Sequence, residues 1–221
     1  MGPGRLAARE DAKLIGTDKE KTLLISQDEF YQKLGIECID AGCAFDVFFC
    51  GSAYMDVATM GTLASITGGD CFYYPMFNPS RDAMRLQMDL EKNIKRPFGY
   101  DAVLRLRVSN GLRVANHYGN FYMRNATDVE MGWVDAESTF GVELMHDGKL
   151  DEKLDTYLQC AMLYTTAWGE RRIRLHNVSM GSTEKLGATY KYAEMDAVVN
   201  LTCKTCSLSL YWKRSDTNSP F

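Results

Sequence analysis

No stretch of the chain supplies the roughly 20 consecutive apolar residues that a membrane-spanning helix requires. The longest uncharged run, residues 156–169, is shorter and carries Gln159 and several threonines, so membrane contact is expected to be peripheral. A basic excess is missing as well: 25 Lys and Arg stand against 29 Asp and Glu, a net charge of −4. That balance argues against a surface built throughout for nucleic acid, and no nucleic-acid partner is expected. Histidine is scarce: His117, His146 and His176 are the three, and none sits in a motif that would pair it with a nucleophilic cysteine. Zinc-ligand pairs are lacking too, because Cys203 and Cys206 form a lone CxxC and a tetrahedral site needs four ligands. No secretory-signal pattern is read at the start of these residues, and the Asn-x-Ser/Thr sequons at Asn125, Asn177 and Asn200 are expected to be chance matches. Seven cysteines, an odd number scattered through apolar runs, read as reduced thiols that pack as small hydrophobes. There is no internal repeat and no low-complexity block.

What is present is an ordinary globular mixture: 221 residues, 46% hydrophobic and 24% charged, enough for one large domain or two small ones. Residues 1–22 are rich in Gly, Ala, Lys, Arg and Asp without apolar periodicity and read as an exposed loop. From Phe30, apolar side chains at Tyr31, Leu34, Cys38 and Ile39 keep helical spacing, and residues 44–50 form a short β-rich run. Asp56 is placed to cap a second helix through Leu63 to Ile66, ended by Gly68 and Gly69; Cys71, Phe72, Tyr73 and Tyr74 make a second strand. A third helical pattern, Met84 to Ile94, stops before Pro97. Helices of this length between short apolar strands imply parallel pairing, so residues 25–96 look like half of a doubly wound sheet.

Beyond Pro97 the period becomes two. Leu104, Leu106 and Val108 alternate with Arg105 and Arg107, and Leu112 and Val114 alternate with Arg113 across Ser109, Asn110 and Gly111. A hairpin with Gly111 in the left-handed position would pair Arg107 with Arg113 and give one apolar and one basic face. Further strand-like runs at residues 121–123, 139–145, 157–166 and 172–178 predict an antiparallel sandwich or barrel. In the last run Ile173 and Leu175 alternate with Arg172, Arg174 and His176, so a basic outward face is expected there too. A final amphipathic helix is expected to carry Leu186, Tyr190, Ala193, Met195, Ala197 and Val198, and the tail from Cys203 to be unstructured.

The arginines are the informative cluster: Arg105, Arg107 and Arg113 on the expected hairpin, Arg171, Arg172 and Arg174 around the last strand. A charged face on an antiparallel sheet is often only solvated. The sharper reading is a partner or membrane surface, since each basic side chain near anionic lipid is worth on the order of 1 kcal/mol. Tyr73, Tyr74, Phe121 and Tyr122 could line a peptide groove, although strand aromatics are mostly core. Thr67, Gly68, Gly69 and Asp70 precede a strand and so end a helix; they do not form a phosphate loop. A small hydrolase or a metal-binding domain would need a carboxylate cluster at strand C-terminal ends, where Asp56 is the one obvious candidate.

The order of motifs resembles a known family. Gly16, Thr17, Asp18, Lys19, Glu20, Lys21, then Phe30, Tyr31, then Asp46, Val47, Phe48, then Tyr54, Met55, Asp56, Val57, Ala58, Thr59 and Thr67, Gly68, Gly69 are similar to the trunk of the cargo-adaptor subunit of the COPII vesicle coat, the Sec twenty-four family. Phe98, Gly99, Tyr100, Asp101, Ala102, Val103, the run from Ser109 to Arg113, Tyr118 to Tyr122, Asn125 to Val129 and the stretch from Gln159 to Asn177 resemble that family's β-sandwich. The resemblance covers roughly residues 10–200 and is collinear over segments of different character. It fits the adaptor better than the sister coat subunit, whose GTPase-activating role depends on an inserted arginine that is not located here.

The resemblance implies an α+β multidomain fold. Residues 1–96 would be the C-terminal half of a von Willebrand factor A-like doubly wound α/β trunk, 97–180 an antiparallel β-sandwich, 181–202 a short helical segment and 203–221 a disordered tail. It implies a binding protein without catalysis, acting at the cytosolic face of endoplasmic reticulum exit sites. Its partners would be the sister COPII subunit, cargo cytoplasmic tails and anionic membrane. No cofactor or metal is expected: the family's zinc ribbon and the Asp-x-Ser-x-Ser loop of von Willebrand domains have no counterpart in these residues. A trunk strand without its neighbours leaves apolar faces open, and poor solubility of the isolated chain is expected.

Overall fold

The computed structural model describes residue 4, residues 6–7, 11–53 and 55–212. The segment expected as a loop holds a short helix α1 (Asp11–Leu14) and a 3-10 turn (Glu20–Leu24). Then come α2 (Phe30–Asp40), β1 (Val47–Phe49), α3 (Val57–Thr67), β2 (Cys71–Tyr73) and α4 (Pro79–Lys95), in the expected order. β1 and β2 pair in parallel, Val47 beside Cys71 and Phe49 beside Tyr73, with α3 as the crossover that parallel pairing requires.

Local chemistry sets the limits of α3. The Asp56 side chain accepts the Thr59 amide at 3.2 Å and the Thr59 hydroxyl at 2.8 Å, filling orphan donors of the first turn. At the other end Gly68 takes φ 89°, a left-handed cap that a side chain would strain. Phe49 and Tyr74, each 1% exposed, are buried in this trunk portion.

The second half contains β3 (Phe98–Val108), β4 (Leu112–Tyr118), β5 (Asp128–Asp135), β6 (Gly141–His146), β7 (Thr156–Thr166) and β8 (Arg171–Met180). One antiparallel sheet has the order β5-β3-β7-β8, and β4 pairs with β6 in a second. Ala102, Leu104, Val129, Met131 and Val134 form the buried cluster. Phe121 and Phe140, on the segments leaving β4 and entering β6, pack against it.

Several expectations change here. The hairpin between β3 and β4 does not form as a paired ladder: β5 and β7 occupy both edges of β3, so β4 leaves for the other sheet and Arg107 does not face Arg113. Gly111 does adopt φ 92°, but its turn switches sheets. Residues 121–123 contribute only an isolated bridge, Tyr122 to Glu130, whereas the strand itself is β5, absent from the sequence reading. The single terminal helix is two, α5 (Leu186–Lys191) and α6 (Met195–Trp212). Helix therefore continues past Cys203 where a disordered tail was expected; residues 213–221 lie outside the described residues.

β5 is also where the two halves meet. A Cβ on Gly132 would lie 2.0 Å from the Cys43 carbonyl oxygen, and one on Gly68 would lie 2.5 Å from that of Trp133. Asn120 donates to the Gly69 carbonyl at 2.9 Å, and Lys92 reaches Glu137 at 2.7 Å. Arg124 joins Asp40 of the trunk to Glu130 of β5.

Candidate functional site

The six predicted arginines occupy three surfaces. In an antiparallel sheet, residues opposite one another share a face. Arg105 stands opposite Ala161, and Arg107 opposite Gln159; Leu175 and Asn177 of β8 continue the same rows. The outer face of the large sheet therefore carries Arg105, Arg107, Arg171, Ile173 and Leu175. Arg172, Arg174 and His176 stand opposite Tyr164, Met162 and Cys160, which pack on the core cluster. The expected alternation is thus inverted. Arg172 and Arg174 of β8 lie on the core-side face, which continues beyond the covered interior, whereas Ile173 and Leu175 face out, Ile173 at 70% exposure. Arg113 is on the other sheet, beside Met145.

Most of these charges already have partners. Arg105 forms a two-nitrogen pair with Asp128, which pulls that carboxyl below its usual range. Arg171 donates to the Asp101 carbonyl and carboxylate, both at 2.6 Å, and to Thr165 at 2.8 Å. Asp101 can receive it because the β3–β7 register shifts between Tyr100 and Val103, where Asp101 takes φ 50°. Arg172 pairs with Glu170 and Arg107 donates to Gln159 at 3.2 Å. Arg174 has no ion pair among the described residues. Exposed pairs of this type contribute about 0–1 kcal/mol, little enough to be exchanged on docking.

The other candidates resolve into structure. Asp56 is committed to the α3 cap and accepts Gln27 Nε2 at 2.6 Å. Among the described residues no group of three or more His, Cys, Asp and Glu is placed to hold a metal, and Cys203 and Cys206 are exposed on α6. The four aromatic residues do not converge on a groove. Tyr74 is buried with its hydroxyl on Asp89 at 2.6 Å, and burial followed by that carboxylate pushes its pKa up to about 12. Phe121 belongs to the sandwich core. A cleft of about 160 Å³ at the junction of trunk, sandwich and α6, lined by Asp70, Glu137 and Lys204 among others, is smaller than the roughly 300–1,000 Å³ of a small-molecule site. No described helix is long and apolar enough to cross a membrane.

The group the sequence reading passed over is Arg96. Its side chain, 8% exposed, meets Asp70 at 2.8 Å, Asp135 at 3.0 Å and Asp46 at 3.6 Å. Burial opposes its charge, but the three carboxylates outweigh it and hold the guanidinium above its ordinary value. Asp46 is further held by the Asp70 amide and by Asn93, each at 2.7 Å. The helix pattern ending before Pro97 marks where Arg96 lies, but only the fold reveals which acids surround it.

Comparison with known proteins accounts for both halves. Residues 1–94 match the family model for the Sec23/Sec24 trunk domain and residues 99–183 that for the Sec23/Sec24 beta-sandwich domain. Human protein transport protein Sec24C is 42% identical over 202 residues, covering 91% of this chain and 18% of the relative. Human Sec24D is 39% identical over 203 residues, covering 92% and 20%. The chain thus spans about a fifth of the length of these relatives. The crystal structure of the human COPII-coat protein Sec24c has the same fold, with a TM-score of 0.90 at 40% identity, over 95% of this chain and 28% of that one. Two adjacent family models matched in order, with a solved relative of the same fold, establish that the chain belongs to the Sec23/Sec24 family.

Proposed function

We propose that the chain acts as a cargo-adaptor component of the COPII vesicle coat in protein transport from endoplasmic reticulum to Golgi, working by surface contacts and not by turnover. The observation that carries this reading is the collinear likeness to proteins named Sec24 through trunk and sandwich together. A shared fold alone would say little about function, because sites and not folds perform it. Here the identity of 39–42% extends through both units, and among the described residues Asp56 serves as a helix cap and no group of three or more His, Cys, Asp and Glu is placed to hold a metal.

The mechanism fits this geometry. The partners are a Sec23-type sister subunit, cargo cytoplasmic tails and the anionic cytosolic face of the reticulum, each contacted weakly and held by multivalency. Arg105, Arg107 and Arg171 on the outer face, Arg172 and Arg174 on the core-side face and Arg113 on the second sheet supply the basic contacts. The test is retention of a purified Sec23-type subunit on the immobilised chain at low and physiological salt, with folding checked by circular dichroism. Retention is expected, weakening with salt and in an Arg107→Glu/Arg113→Glu variant. A folded chain that fails to hold the subunit even at low salt would overturn the reading.

A further inference from the structure

We propose that the edge of β8, unpaired among the described residues, receives an extended, acidic segment of a partner protein as an added strand. The inference stands on the geometry of the edge and does not require coat assembly. β8 ends the sheet order β5-β3-β7-β8, and all ten of its residues, Arg171 to Met180, are exposed. Its pairing with β7 is regular from Thr165–Arg171 to Thr156–Met180, with no bulge.

The phase of that ladder determines which backbone groups are open. Thr166 N–H donates to the Glu170 carbonyl at 2.9 Å, closing the hairpin. Antiparallel pairs alternate between hydrogen-bonded and non-hydrogen-bonded, so counting inward makes Tyr164–Arg172, Met162–Arg174 and Cys160–His176 the bonded pairs. Ile173, Leu175 and Asn177 fall in the non-bonded positions, with N–H and C=O directed to the open edge. β8 has no proline and no bulge to stop a further strand; the edge device it does carry is charge, Arg172 and Arg174 on the core-side face, which acts against strands other than acidic ones.

Charge selects the occupant. A strand added beside β8 places alternate side chains next to Arg172, Arg174 and His176 on one face and next to Ile173 and Leu175 on the other. Carboxylates therefore suit the first set of positions and apolar residues the second, while a basic strand meets like charge. A second copy of β8 would bring its own arginines to the same face, which disfavours self-pairing. Main-chain bonds supply affinity and the alternating side chains supply selection, as in other strand-addition sites.

The probe is a fluorescein-labelled ten-residue peptide of alternating Glu and Val, titrated into the full chain by anisotropy, with amide hydrogen exchange as a second readout. Saturable binding is expected, with slowed exchange at Ile173, Leu175 and Asn177. A Lys-Val peptide should not bind. Arg172→Glu/Arg174→Glu should weaken binding on the order of tenfold. The same Glu-Val peptide N-methylated at alternate residues keeps its charge but loses its edge donors, and it too should fail to bind, which needs no mutation of the chain. Absence of binding, protection elsewhere than β8, affinity unchanged by N-methylation, or concentration-dependent protection of β8 without peptide would each overturn the proposal, the last in favour of a second copy.

Discussion

Asp82 illustrates how a single side chain can set a pH limit. Arg81 binds its carboxylate at 2.7 and 2.8 Å and the Asn78 amide adds a bond at 2.9 Å; these hold its pKa at about 2 against an ordinary 3.8. The folded carboxyl is the stronger acid, so the stability it contributes is complete above the unfolded value and is lost as pH falls through the folded one. Thermal melts should therefore show the midpoint dropping between pH 4 and pH 2, with an Asp82→Asn variant flatter across that window. Asp28, Asp128 and Glu143 are shifted in the same direction, Asp128 chiefly by Arg105 and Glu143 chiefly by Asn116, so a single substitution removes only part of the slope. Asn78 is the N-cap of α4, and its amide meets Asp82 four residues on, ahead of Met84, where the helical pattern was read to begin. The use of Arg81 from the adjacent position is not legible in sequence either, because neighbours on a helix do not ordinarily face each other.

At the scale of elements, α3 is the clearest case of local determination. Asp56 caps one end, Gly68 the other, and both were legible before any coordinates because capping depends on nearby backbone. Asp56→Ala should cost about 1 kcal/mol in urea unfolding, and Thr59, whose hydroxyl also accepts the Gln27 amide at 2.9 Å, should feel the loss first. β5 shows the opposite situation. Its acidic ends and central Gly132 weaken the strand pattern, and Gly132 is there because the Cys43 carbonyl leaves no room for a side chain, a constraint from a segment nearly ninety residues away in sequence. The alternation in β8 was readable but its sign was not. Period two says that Ile173 and Leu175 share a face, whereas only the register with Ala161 and Leu163 says which face it is.

For the whole molecule, Arg96 ties the parallel pair to the sandwich, reaching Asp46 and Asp70 at the entries to β1 and β2 and Asp135 at the end of β5. Asp135 has a side chain only 4% exposed, so Arg96→Met leaves a buried carboxylate without its cation, and removing one partner of such a pair costs about 3–5 kcal/mol. Urea unfolding should show that loss, with tryptophan fluorescence of Trp133 changing early because it lies in β5 beside this junction. The sequence by itself determined the order of helices and strands in the trunk portion, the change of period after Pro97, the helix caps and the family likeness, since these rest on spacing and on residue types acting over a few positions. The tertiary structure alone decided that β4 leaves β3 for another sheet, that β8 turns Arg172 and Arg174 toward the core side, and that three distant aspartates converge on Arg96. Each of these depends on which edges and faces are already occupied, and occupancy is a property of the assembled chain.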